Sequence, residues 1–294
     1  MQANIDQKEK WRPENLPLIF SDYVRLTTRP APATPQVIVW PEGALPAVFD
    51  DLVAPGSPYG PALAEALRPG QVLLMGANAA SVQPGGDVDY FNSLVALRRM
   101  PEGLAYAGRY DKHTLVPFGE YLPLGDLATR LGIRSLVHMP EDFTAGPPPE
   151  PLTLPGLPPV QPLICYEALF PRTTSRAAAR AQVRPRWILN VSNDAWFGVT
   201  SGPLQHLNLA SYRAIEEGLP ILRSTPTGVS AAIDAHGRIL PGQRLGLGRA
   251  GVLDVRLPEA LEPTFYSRFG EATLLVMLAI SAFVAGLARL RRTC

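Results

Sequence analysis

Apolar residues recur along this chain in two spacings. Short, nearly continuous apolar runs predict strands over residues 36–40, 72–77, 93–98, 163–166, 187–192, 221–224 and 229–234. Longer segments with one apolar face predict helices over 11–28, 61–67, 173–182 and 203–218. In the first of these, Leu16, Ile19, Phe20, Tyr23 and Val24 mark the buried side. Strands alternating with helices imply an α/β layered domain. Asp234 to Gly237 (DAHG) between two apolar runs predicts a hairpin turn. Pro-rich stretches at 29–35 and 146–162 read as surface connections.

The C-terminus follows neither spacing. Residues 272–288 are 17 consecutive uncharged residues (ATLLVMLAISAFVAGLA), apolar on every side, followed by Arg289, Arg291 and Arg292. A helix of that length is ~25 Å long, at the short limit for a ~30 Å hydrocarbon core. The pattern predicts a transmembrane helix over 272–290, and the arginines predict a cytoplasmic tail at 291–294. Residues 1–257 then form a domain on the outer face and 258–271 the connection. Cys165 and Cys294 would lie on opposite sides of the bilayer, so both thiols are expected to be free.

Composition narrows the function. Hydrophobic residues at 46% against 18% charged allow a sizeable core. A net charge of +1 gives no footprint for nucleic acid. Two cysteines exclude a disulfide framework, and four scattered histidines make no metal-binding spacing, so no metal and no cofactor are expected. Gly246, Gly248 and Gly251 match G-x-G-x-x-G but precede a strand-like VLDV with no helix after it, so a dinucleotide site is not implied. Only three of the 27 basic residues are lysines, Lys8, Lys10 and Lys112, which makes the lone mid-chain ammonium conspicuous.

Three ionisable residues share one context, the end of an apolar run beside a turn. Glu42 follows VIVWP, Lys112 follows a strand-like stretch and Cys165 ends PLIC. A carboxylate, an ammonium and a thiol suffice for acyl transfer: the thiol attacks a carbonyl, the carboxylate moves the proton and the ammonium stabilises the oxyanion. Taken singly, each has an ordinary reading as a core thiol, a loop carboxylate or a surface charge.

The order Glu, Lys, Cys resembles that of the nitrilase (carbon–nitrogen hydrolase) superfamily. More narrowly, QANIDQKEKW, VIVWPEGALP, GRYDKHTLVPFGEYLPL, ICYEALFP, the stretch from NVSNDAWFG to SAAID, and TFYSRFGE resemble the extracytoplasmic domain of the bacterial apolipoprotein N-acyltransferases. These segments are spread over essentially the whole chain. The resemblance implies a nitrilase-like αββα four-layer sandwich, with Glu42 as general base, Lys112 as oxyanion stabiliser and Cys165 as nucleophile. It implies supporting roles for Glu120, Tyr166 and Glu167, and a lipid-facing cleft lined by Trp11, Trp196 and Phe197. His113 and His206 receive no role beyond structural hydrogen bonding.

The implied reaction moves an acyl chain from a phospholipid through a Cys165 thioester to the N-terminal amine of a diacylglyceryl-apolipoprotein, at a bacterial inner membrane. In that family membrane spans precede this domain, and MQANIDQ falls inside the first core strand, so a truncated first strand is also expected. Two other readings use the same residues. One is a membrane-anchored nitrilase-type amidase with a closed polar pocket; the other is a silent scaffold with an unreactive Cys165.

Overall fold

Why two sheets form, and why they stack, follows from alternation along their strands. The computed structural model describes residues 1–123 and 142–293. The first sheet has the order β1 (Val37–Trp40), β2 (Val72–Val82), β3 (Val88–Met100) and β4 (Gly103–Asp111). Within it β1 and β2 run parallel and the remaining pairs antiparallel. The second has the order β5 (Val160–Ile164), β6 (Trp187–Val191), β7 (Ile221–Ser224), β8 (Ser230–Ile233) and β9 (Ile239–Leu245). Here β5, β6 and β7 are parallel, and β8 and β9 add antiparallel.

Successive side chains leave opposite faces of a strand. Val72 and Leu74 therefore point to one face of β2, and Leu73 and Met75 to the other. The first pair joins Leu94, Ala96, Val160, Ile164, Trp187, Leu189 and Val191 in an apolar layer between the sheets. The second packs with Ile38, Trp40, Val95 and Leu97 against Ile19, Phe20, Tyr23 and Leu63 of helices α2 (Leu16–Thr28) and α4 (Tyr59–Ala66). On the far side, Leu163, Ile188, Ile221 and Ile233 meet Leu207, Ala210 and Ala214 of α6 (Gly202–Glu217). Three apolar layers separate four structural layers, an αββα sandwich.

Several boundaries differ from the sequence expectation. The helix predicted over 11–28 starts late: a 3-10 turn at Pro13–Asn15 leads into α2 at Leu16, and a separate short helix, α1 (Gln7–Lys10), precedes it. Pro13 and Pro17 explain the late start, since proline favours a helix start and breaks a helix interior. β2 and β3 run well beyond their apolar cores as a long antiparallel ribbon closed at Val82 and Val88. β5 stops at Ile164, so Cys165 lies beyond the strand and opens a 3-10 helix, Cys165–Leu169. Two short helices, α3 (Phe49–Val53) and α7 (Phe265–Phe269), complete the loops, and α5 (Thr173–Ala181) follows the Cys165 turn.

The final helix α8 spans Ala272–Thr293, and its side chains Leu274, Leu275, Val276, Met277, Leu278, Ile280, Phe283 and Val284 are exposed. Among the described residues no helix is long and apolar enough to cross a membrane. The transmembrane expectation over 272–290 is corrected to that extent: the helix is there, and its uncharged run is short. Cys294 lies outside the described residues.

Candidate active site

Glu42, Lys112 and Cys165 reach one place from both sheets. Glu42 sits two residues past β1, Lys112 immediately past β4 and Cys165 immediately past β5. Glu42 Oε1 accepts from Asn92 Nδ2 at 2.7 Å, and Oε2 accepts from the backbone N–H of Asn193 at 2.5 Å. Lys112 Nζ donates to Glu120 Oε1 at 2.8 Å and stands 3.7 Å from Glu42 Oε1. Asn92 Nδ2 also donates to Glu120 Oε1 at 2.8 Å, so one amide spaces the two carboxylates around one ammonium. The second oxygen of Glu120 accepts from Val116 N–H at 2.9 Å, which folds the loop after Lys112 back over it.

Burial would lower the Lys112 ammonium, but Glu42, Cys165 and Glu120 together hold it above its ordinary value. Lys112 is therefore a permanent cation with a fixed aim. Burial, and then the Glu42 carboxylate, push the Cys165 thiol up to about 12, with Lys112, the Ser192 hydroxyl and the Asn193 N–H offsetting part of the rise. The resting group is a thiol, and it needs a base as it attacks.

Cys165 adopts φ +50°, a left-handed conformation unusual for a residue with a side chain. Glu167 and His206 fasten the backbone around it. Glu167 is buried; its Oε2 accepts from Ile164 N–H at 2.8 Å, and its Oε1 from Tyr110 Oη at 2.9 Å, His113 N–H at 2.9 Å and Thr114 N–H at 3.2 Å. This carboxylate ties the loop carrying Lys112 to the turn carrying Cys165. On the opposite side His206 Nε2 lies 3.1 Å from the Cys165 carbonyl oxygen, and Nδ1 lies 3.0 Å from Asp194 Oδ1. Asp194 in turn accepts from both Ser192 Oγ and the Arg223 guanidinium. Tyr166 packs edge-on against Phe170 rather than joining these groups. His113 Nδ1 is 2.8 Å from the Gly146 carbonyl, a structural contact.

Asp194 gives a pH-dependent stability. Burial would raise its carboxyl, but Arg223 and His206 hold it at about 2, below the ordinary 3.8. A depressed folded-state value stabilises fully above about pH 4, and the effect is lost as pH falls towards 2. The loss is expected to be about 2 kcal/mol, visible in urea unfolding across that range. Asp194→Asn should be less stable at neutral pH, because Arg223 is left unpaired, yet show a shallower acid slope.

Gly76 on β2 is needed for steric reasons. A Cβ there would stand 2.4 Å from the Pro41 carbonyl oxygen and 2.6 Å from Glu42 Cα. Gly76→Ala is expected to destabilise by about 1–3 kcal/mol and to displace Glu42. Gly85→Ala, where a Cβ meets nothing within 4 Å, is the control for both the denaturation curve and the reaction rate.

Trp11, Trp196 and Phe197 are 44%, 59% and 44% exposed, so they are surface side chains and not core. Phe197 packs edge-on to His206, and Trp11 lies beside Lys10. Exposed Val199 and Phe118 extend the apolar surface. A separate cavity of about 920 Å³ runs along β1 between residues 26–39 and 252–257; Arg223 lines it, whereas Glu42, Lys112, Cys165, Glu120 and Glu167 do not. No cluster suited to a metal occurs among the described residues. Sequence reasoning passed over Asn92, Asp194 and Arg223, whose polar side chains acquire partners only through distant segments.

A protein of Caulobacter vibrioides named apolipoprotein N-acyltransferase is 50% identical over 291 residues, 99% of this chain and 54% of that protein. One of the same name from Bradyrhizobium diazoefficiens is 39% identical over 97% of this chain and 52% of its own length. The chain thus spans about half the length of the curated relatives it matches. Among solved structures, an amidase from Nesterenkonia sp. superposes with a TM-score of 0.50 at 20% identity over 91% of each chain. The glutamine-dependent NAD+ synthetase from Acinetobacter baumannii superposes with a TM-score of 0.54 at 15% identity, covering 84% of this chain and 46% of that one. These two speak to the fold alone. The carbon-nitrogen hydrolase model matches residues 2–264, and the chain belongs to the carbon–nitrogen hydrolase family.

Proposed function

We propose that this domain transfers an acyl chain from a phospholipid to the N-terminal amine of a diacylglyceryl-apolipoprotein, with Cys165 as nucleophile, Glu42 as base and Lys112 as oxyanion stabiliser. The observation that carries the reading is the ion-paired Glu42–Lys112–Glu120 group beside Cys165, with the exposed Trp11 over Lys10 and the exposed Phe197 against His206. In the first half-reaction Glu42 takes the thiol proton as Sγ attacks the ester carbonyl. The S–C bond forms, the ester C–O bond breaks, and the proton passes to the departing glycerol oxygen. In the second, the free α-amine attacks the thioester, the N–C bond forms, the S–C bond breaks, and the proton released from nitrogen returns to sulfur. Lys112 faces the oxyanion in both.

Glu120 and Asn92 fix the Lys112 ammonium, and Glu167 fixes the turn of Cys165; all three are positioning residues. Trp11, Trp196 and Phe197 contact the lipid. The catalytic unit is residues 1–257, and 258–271 lead to α8, whose exposed apolar side chains hold it at a bacterial inner membrane. Anchoring beside the bilayer raises the effective concentration of two lipid substrates without tight binding. Exposed aromatic side chains also distinguish this reading from a small-amide hydrolase, which calls for a closed polar pocket.

The test is to incubate the full chain in detergent with phosphatidylglycerol and a synthetic diacylglyceryl-cysteine peptide. A peptide gaining the mass of one acyl chain on its amine supports the reading. Release of free fatty acid alone, or turnover of small amides in its place, overturns it.

A further inference from the structure

Lys10 is 2% exposed, yet its ammonium makes no hydrogen bond among the described residues; it stands over the Trp11 ring, 5.2 Å from the centroid. It lies at the base of the site: a Cβ on Gly43, the residue after Glu42, would stand 3.3 Å from Lys10 Nζ. Burial brings this ammonium down to about 8, with Glu42 opposing the fall. One helical turn earlier on α1, Gln7 Oε1 accepts from Asn193 Nδ2 at 3.1 Å, while its own Nε2 is buried and has no partner. Asn193 is also the residue whose N–H binds Glu42. Two donors without a hydrogen-bond partner in the protein, one charged and attracted by Glu42 and one neutral and fully buried, therefore lie beside the contact between Glu42 and Asn193. A structural lysine buried in a fold is normally paired, and a buried amide N–H normally finds an acceptor.

We propose that Lys10 and Gln7 form a subsite for the phosphodiester of the acyl donor. The ligand's identity rests on the acyl-transfer reading; the need for an anionic acceptor rests on the two donors alone. Both groups only donate, so the complementary ligand offers oxygens that only accept and carries negative charge. A phosphodiester does so. The α-amine of the second substrate is cationic and is repelled by Lys10, which assigns the subsite to the first half-reaction. Trp11, with its ring under Lys10 Nζ and 44% exposed, places acyl-chain contact next to headgroup contact. Departure of the lysophospholipid then removes the anion and leaves the thioester open to the amine.

The experiment compares two donors by the rate of Cys165 acylation, read as intact mass. One is phosphatidylglycerol in micelles; the other is a phosphate-free nitrophenyl ester of the same fatty acid. In Lys10→Met the ratio of the phosphatidylglycerol rate to the ester rate is expected to fall about 10- to 100-fold, the range for losing a charged hydrogen bond. Gln7→Leu should lower it less, and Lys10→Arg should restore part of it. Independently, soluble glycerophosphoglycerol should slow alkylation of Cys165 by iodoacetamide in the unaltered chain and lose that effect in Lys10→Met. An equal fall for both donors, or equal protection by glycerophosphoglycerol in Lys10→Met, overturns the subsite. If phosphatidylglycerol fails to acylate the unaltered chain while Lys10-dependent protection persists, the acyl-donor reading fails and the phosphodiester subsite stands.

Discussion

Glu42→Gln is expected to slow acylation of Cys165 by roughly a thousandfold, the scale of a lost general base. With the thiol pushed up to about 12, the group rests as a thiol at pH 7, so attack depends on proton removal as the S–C bond forms. Glutamine cannot remove it. Its amide also must place a donor against either Asn92 Nδ2 or the Asn193 N–H, at a cost of about 1–3 kcal/mol. A second readout separates lost chemistry from a lost fold. Glu42 raises the Cys165 thiol, so its removal should shift the pH profile of iodoacetamide alkylation downward. Faster alkylation with slower acylation is the signature; loss of both would mean a collapsed site.

Lys112→Met is expected to reduce acylation by about 10²–10³-fold, as for removal of one oxyanion donor. The same change strips the cation from Glu42 and Glu120, whose carboxylates then share Asn92 Nδ2 with no positive charge between them. Loss of one partner from a buried ion-paired group costs about 3–5 kcal/mol. Here the alkylation profile should move upward, because Lys112 lowers the Cys165 thiol. Opposite displacements for the two variants, each with impaired acylation, would locate both charges beside the sulfur. Displacements of the same sign would contradict that arrangement.

Much of the layered fold is legible in the chain because apolar alternation is local. Leu73 and Met75 face one way and Leu74 the other by strand geometry, and Val95 and Leu97 repeat the rule on β3. β4 was legible only as a stretch before Lys112, since its alternating small and polar residues bury little. The late start of the helix predicted from residue 11 was written in Pro13, in Pro17 and in the amphipathic face that begins only at Leu16.

The site divides along the same line. Glu42, Lys112 and Cys165 were visible because each follows an apolar run. Their neighbours were not. Asn193 meets Glu42 across 151 positions of sequence, and Arg223 meets Asp194 across 29. Lys10 reads as one more charge in DQKEK until the fold buries it beside Gly43. A polar residue that finds its partner only through tertiary structure leaves no periodic trace in the sequence.

The central claim, that Cys165 forms a thioester with a lipid-derived acyl chain, is tested most directly by intact mass. The full chain is incubated with phosphatidylglycerol and no acceptor, alongside Cys165→Ser. The account predicts an adduct of one acyl chain on the unaltered chain, removed by hydroxylamine and absent from the variant. An unmodified Cys165 that also resists iodoacetamide, or an adduct of the same mass on Cys165→Ser, would contradict it.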